Sequence, residues 1–188
     1  MPRWEPNARE RLMRAALTLF AERGYENTTV IDIVERAGLG KTTFFRYFRD
    51  KREVLFGGDS RVDLLGTEIA AAPPSATPLE ALAAALTAAG KERFTSERRE
   101  TLTLRQAVID ANPELLEREA LKNLTLVTSM TTALEKRGVS GLTASVIAQL
   151  GALTIDITYK RWIDPANTED FTTLVERTLT EVRAAAAA

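Results

Sequence analysis

Arg36 to Phe48 reads RAGLGKTTFFRYF, and the reading of this stretch decides the fold. The run Gly38-Leu39-Gly40-Lys41-Thr42-Thr43 imitates a phosphate-cradling loop, in which backbone N–H groups and a lysine surround a nucleotide. The full form of that loop needs a glycine five residues before Gly40, and Glu35 stands there. A shortened loop with a glycine pair would still need a buried strand to deliver the chain to it. Thr29 to Val34, TVIDIV, is the candidate strand, yet Glu35 and Arg36 would separate it from the loop, and no later strands exist to build a parallel sheet. Leu153 to Asp156, LTID, imitates a magnesium-binding aspartate but sits inside a helical stripe. The alternative is two short helices joined by AGLG at 37–40, with the length and punctuation of a helix-turn-helix.

The flanking residues support helices throughout. Thr29 with Asp32 is a capping pair, Val30, Ile33, Val34 and Ala37 form an apolar stripe, and Gly38 ends it. Gly40 serves as N-cap for a helix from Lys41 to Phe48. Upstream, Asn7 with Glu10 reads as a cap for a helix bearing Ala8, Leu12, Ala15, Ala16, Leu19 and Phe20, stopped by Gly24. Asp50 with Glu53 opens a fourth helix carrying Val54, Leu55, Val62, Leu65 and Ile69. AAAPPSATP at 70–78 is a connection, ending in Thr77, Pro78 and Glu80 as N-cap, N1 and N3 of the next helix. Periodicity continues through Leu79, Leu82 and Leu86, through Leu102, Leu104, Val108 and Ile109, and from Asn112-Pro113 through Leu116, Leu124, Val127, Met130 and Leu134 to Gly138. Two strong helices close the chain, Ala144 to Trp162 before Asp164-Pro165, and Thr168 onward with Phe171, Leu174, Val175, Thr178, Leu179 and Val182 on one stripe. The terminal alanines extend that helix or fray. The pattern predicts an all-α fold of about nine helices: a three-helix helix-turn-helix domain over 1–52, joined through a fourth helix to a helical domain within 53–188.

Composition narrows the chemistry. The 188 residues suffice to bury about two-thirds of the unfolded surface. There is no cysteine and no histidine, which removes disulfides, thiol nucleophiles, imidazole bases and the usual soft metal ligands. No enzyme activity, metal or cofactor is expected. No apolar run is read as reaching membrane-spanning length, and MPRWEPNARERL has charges where a signal peptide needs an apolar segment, so no membrane partner and a cytoplasmic location are expected. The net charge of -1 hides a division: residues 1–52 hold eleven Lys or Arg against seven Asp or Glu, and residues 53–188 hold fourteen against nineteen. The first quarter is locally basic, as a nucleic-acid-binding region would be.

Leu19 to Leu55, LFAERGYENTTVIDIVERAGLGKTTFFRYFRDKREVL, resembles the DNA-binding domain of the TetR family of transcriptional repressors. The landmarks are Gly24-Tyr25, Thr29, Ile33, Ala37-Gly38, Lys41, Thr43, Tyr47-Phe48 and Lys51 ahead of Leu55. Gly40 departs from the usual Ser or Thr cap, and Phe45 from the frequent tyrosine, which removes one hydroxyl able to bind phosphate. Val30, Ile33, Val34, Phe44 and Phe48 are expected to form the core holding the two helices at their angle. Thr42 and Arg46, spaced i, i+4, suit base edges in a major groove about 12 Å wide. The resemblance instead favours Lys41, Thr43 and Tyr47 for phosphate or groove contacts. Thr29 and Lys51 would clamp phosphates on either side, and Arg3, Arg9 and Arg11 are further candidates for a phosphate or the minor groove.

DNA reading by one short helix predicts a homodimer on a palindromic double-stranded operator. Ala144, Ala148, Gly151 and Ala152 form a small-residue stripe, and Phe171, Leu174, Val175 and Leu179 an apolar face; the resemblance implies that these pair as a four-helix bundle across the two-fold. It also implies that the C-terminal domain takes a small, largely apolar effector whose binding releases the operator. Phe94, Leu104, Val108, Leu124, Val127, Met130, Ile155, Tyr159 and Trp162 are the candidate walls of such a pocket, with Arg105, Asp156 and Tyr159 as its polar members. A helical dimeric interaction module without operator binding stands as the alternative, and a nucleotide-dependent enzyme as the third reading.

Overall fold

The computed structural model of the protein describes residues 7–56 and 61–186, without the side chains of 61–63. Every regular element among the described residues is an α-helix. The first is α1 (Ala8–Arg23), which buries Leu12, Ala16, Leu19 and Phe20. Its start departs from expectation, because Asn7 takes a left-handed backbone (φ 64°) and makes no side-chain cap bond. An N-cap side chain reaches the free N–H groups from extended backbone, so the Asn7–Glu10 box does not form, and Glu10 lies 3.4 Å from Arg14 instead.

Helix α2 (Val30–Ala37) follows, and the supposed strand Thr29–Val34 is its cap and first turn. The capping box is complete: Asp32 N–H donates to Thr29 Oγ1 (3.2 Å), and Thr29 N–H donates to Asp32 Oδ2 (2.7 Å). Gly38 ends the helix at φ 63°, a left-handed conformation that costs a side-chain-bearing residue about 1–2 kcal/mol. Gly38 N–H reaches Glu35 O (3.0 Å) and Leu39 N–H reaches Val34 O (2.8 Å), a Schellman closure. Extended backbone at Gly40 then opens α3 (Lys41–Tyr47), with Phe48 as its C-cap rather than its last residue. The expected single fourth helix is described as two segments, α4 (Glu53–Phe56) and α5 (Arg61–Ala71), and the Val62 side chain assigned to it lies outside the described residues.

Five longer helices complete the chain: α6 (Pro78–Arg93), α7 (Ser96–Asp110), α8 (Pro113–Lys136), α9 (Gly141–Ile163) and α10 (Phe171–Ala186). Two compact units result, residues 1–59 with 101–119, and residues 60–100 with 120–188. In the first unit α1 packs against α2, α3 and α4. Its core joins Leu12, Phe20, Tyr25, Ile33, Phe44, Phe48 and Leu55 with Val108, Ile109 and Leu115.

In the second unit α6 packs against α5, α9 and α10, and α9 against α10. Thr77 and Glu80 form the predicted capping box, with Pro78 in the first turn. Arg137 pins the preceding connection by donating to Ala72 O (2.6 Å) and Pro73 O (2.8 Å). Helix α10 begins at Phe171 rather than Thr168, because the Asp170 carboxylate accepts from Thr173 N–H (2.9 Å) and fixes the start there. Helix α9 is long and apolar enough, by length and composition, to cross a membrane, which corrects the reading that no apolar run has that length. Interspersed Ser, Thr, Gln and Asp disguised the run, and one face of it, including Ala144, Ile147, Ala148, Ile155 and Trp162, is buried inside the chain.

Candidate nucleic-acid interface

The α2–turn–α3 unit is held from beneath and from one side. Phe44 and Phe48 are buried with ring centroids 5.5 Å apart, and Ile33 and Val34 are buried with them. The expected core residues are therefore in place, with Val30 partly buried against them. Arg11 of α1 donates from Nη2 to Ala37 O at 2.6 Å, satisfying an orphan carbonyl at the end of α2. A Cβ added to Gly38 would stand 3.3 Å from that same nitrogen, so the turn has little room for any other residue.

Helix α3 turns Lys41, Thr42, Phe45 and Arg46 to solvent, with Thr43 and Tyr47 half-buried at its margins. Arg46 lies over the Tyr47 ring, with its guanidinium carbon 5.0 Å from the ring centre. No carboxylate lies on α3. On α2, by contrast, Arg36 pairs with Glu22 at 2.8 Å, and the Arg36 guanidinium, as hydrogen-bond donor and then as charge, holds the Glu22 carboxyl below its ordinary range. The positive character of this face thus comes from Lys41 and Arg46. Thr42 and Arg46 share the outward side of the helix, as their spacing predicted. Phe45 is the exposed member that sequence reasoning passed over, since it treated this aromatic as a lost hydroxyl.

Thr29 and Lys51 flank the unit, and both already hold partners in the chain. The Thr29 hydroxyl and N–H donate to Asp32, which keeps that carboxyl below its usual range. Lys51 donates from Nζ to Tyr25 O (2.8 Å) and Glu26 O (3.4 Å) and sits 4.1 Å from the centre of the Tyr25 ring. It therefore anchors the connection between α1 and α2. Of the three N-terminal arginines, Arg11 holds Ala37, Arg9 lies over the Phe48 ring at 5.5 Å, and Arg3 is outside the described residues.

Residues 12–56 match the model of bacterial regulatory proteins of the tetR family, the stretch that holds this helix-turn-helix. The likeness to the tetR family model thus covers the helix-turn-helix with most of α1 before it and α4 after it. The chain is 40% identical over 83 residues to the HTH-type transcriptional regulator TcmR of Streptomyces glaucescens, a match covering 43% of this chain and 36% of TcmR. The chain thus spans about a third of the length of that curated relative. The fold is similar along nearly the whole chain to SmeT, the repressor of the Stenotrophomonas maltophilia multidrug efflux pump SmeDEF, with a TM-score of 0.60, 23% identity, and coverage of 94% of this chain and 89% of that one. It is likewise similar to Thermus thermophilus FadR, a TetR-family repressor in complex with lauroyl-CoA, with a TM-score of 0.53, 22% identity, and 93% of each chain covered.

The second unit of the chain holds several of the remaining candidates. Tyr159, Trp162 and Phe171 meet around Phe94, with the Phe94 and Phe171 rings stacked at 4.0 Å. Met130 and Ile155 are buried, Val127 is half-buried, and Leu124 faces solvent. Asp156 is exposed and pairs with Lys160 at 2.8 Å. Leu104, Arg105 and Val108 belong to the first unit, where Val108 is core and Arg105 donates to Leu55 O (2.7 Å) and pairs with Glu119 (3.2 Å).

The stripe expected at a two-fold lies largely within the single chain. Ala144, Ala148, Gly151, Phe171, Leu174, Val175 and Leu179 are buried there, and Ala152 is half-buried. A Cβ on Gly151 would stand 2.7 Å from Leu82 Cδ1 and 3.3 Å from Met130 Sδ, so this glycine admits α6 and α8 of its own chain. The outward face of α9 instead carries Leu142, Val146 and Leu153, which are 79%, 51% and 48% exposed. Their spacing of four and seven aligns them on one side of the helix. They are large apolar residues and lie outside the small-residue stripe.

Proposed function

We propose that this chain is a TetR-family transcriptional repressor that binds a palindromic operator as a homodimer and releases it when a small molecule enters its second domain. The observation that supports the reading best is α3 itself: a helix-turn-helix closed by Gly38 presents Lys41, Thr42 and Arg46 outward, with no carboxylate on the helix. Gly40 supplies extended N-cap backbone without a hydroxyl, so its departure from Ser or Thr leaves the start of the helix intact. Lys41, Thr43 and Tyr47 are assigned to the phosphates, Thr42 and Arg46 to base edges, and Thr29 to a backbone phosphate beside its cap. Lys51 contributes by holding the α1–α2 connection that positions Thr29.

Residues 1–52 read DNA in this scheme, and residues 53–188 pair the copies and take the effector. Pairing uses the outward face of α9, centred on Val146 and Leu153. The effector is small and largely apolar and enters beside the aromatic cluster of Phe94, Tyr159 and Trp162; the lauroyl-CoA carried by Thermus thermophilus FadR supports that class. Coupling between the two sites is reciprocal, so operator binding weakens effector binding by the same factor. The protein operates in the cytoplasm, beside the chromosome, with no cofactor.

A gel-shift with the DNA upstream of its own gene, at two salt concentrations, tests this reading. A discrete complex whose affinity falls steeply with salt is expected, because phosphate contacts release counterions. Equal competition by unrelated DNA would overturn it.

A further inference from the structure

We infer that Phe45 is a specificity-determining residue of the DNA interface, reading the C5-methyl group of a thymine in each half-site. The inference rests on the DNA-binding reading above and adds a contact to it. Phe45 lies in the middle of α3 and is 56% exposed, more than any other large apolar side chain of the helix-turn-helix. Its neighbour Phe44 is fully buried and meets it edge-on, with ring centroids 5.4 Å apart at 82°, so the exposed ring has a fixed base. Thr42 lies three residues before Phe45, and Arg46 follows it directly on the same outward side.

The surroundings select the occupant. Lys41 and Arg46 are exposed on the same short helix, and α3 carries no acid, so the complementary surface is anionic overall yet must offer one apolar group to the ring. The major groove meets both demands, because only thymine presents a methyl group there, between two rows of phosphates. A tyrosine hydroxyl at this position would be drawn toward a phosphate or water. Phenylalanine lacks that option, and its whole edge is available to a methyl group.

The test uses the full-length protein and a duplex that it selects from a randomised library. Each thymine of that duplex is replaced in turn by deoxyuridine, which removes the methyl group and leaves base pairing intact. Wild-type protein is expected to lose about fourfold in affinity at one symmetric position per half-site, the effect of one methyl group's burial, and about fifteenfold when both are replaced. Phe45→Ala weakens binding to the thymine duplex and is indifferent to uridine at that position, whereas Phe45→Tyr and Phe45→Leu keep part of the sensitivity. The inference is overturned if Phe45→Ala shows the wild-type uridine penalty, or if the loss in Phe45→Ala is the same on both duplexes. Failure to select any duplex would overturn the DNA reading itself and this inference with it.

Discussion

Lys51 donates to the carbonyls of Tyr25 and Glu26 and covers the Tyr25 ring, so its charge is committed to holding the connection that leads into α2. Lys51→Met is expected to cost about 1–2 kcal/mol of stability in denaturant unfolding, in line with hydrogen bonds from a charged donor. Lys41→Met, on the exposed start of α3, should leave stability unchanged and lower the salt slope of operator binding by about one unit. An unchanged unfolding midpoint in Lys51→Met would remove its anchoring role. Tyr25 carries the second residue-level consequence. Burial, followed by the negative charge of Glu114, raises its hydroxyl well above the ordinary value; Asp50 adds to the rise and Arg52 opposes it. The fold therefore keeps the proton where the unfolded chain has lost it. That contribution is full below about pH 10 and is lost as pH rises beyond it. Thermal melts from pH 9 to 11 should show wild type losing stability relative to Tyr25→Phe; parallel curves would contradict this. The sequence showed Lys51 and Tyr25 as landmarks only, since their contact spans 26 positions and no local pattern encodes it.

Helix ends were the most legible elements. Thr29/Asp32 and Thr77/Glu80 close as read, because a capping box depends on residues three apart and on little else. Thr29→Ala is expected to cost about 1 kcal/mol. The Asp32 carboxylate is held below its usual range by the same hydrogen bonds, so its contribution is present above about pH 4 and lost as pH falls through the lowered value. The difference between Thr29→Ala and wild type in chemical unfolding should accordingly shrink from pH 5 to pH 3. Asn7 failed as a cap because its backbone is left-handed, which the Asn-Glu spacing does not reveal. Phe45 was illegible for a related reason: FF at 44–45 puts one ring in the core and one outside, and helix phase decides which.

Across the whole molecule, the interface proposal turns on which face of α9 each residue occupies. Leu153→Glu, or Val146→Glu, should yield a monomer in sedimentation with unchanged helical circular dichroism, since both side chains are already outside the chain's own core. Retention of the dimer in both variants would remove the α9 face from the assignment. The small-residue stripe is no substitute for that face, because Gly151 already packs against Leu82 and Met130. Val108, read as a pocket wall, and Arg105, read as a polar pocket member, show the same limit: Val108 is core of the first unit, and Arg105 donates to Leu55 O there.

The sequence by itself determined the helices, their principal stops at Gly24 and Gly38, and the helix-turn-helix that begins at Thr29. Those features depend on backbone freedom and on side chains within one turn of each other. Tertiary structure alone decided that Lys51 holds a connection, that Phe45 faces outward, and that the Ala144 stripe is core. Each of these follows from packing between helices far apart in the chain, and a periodic stripe states that a face is buried without stating against what.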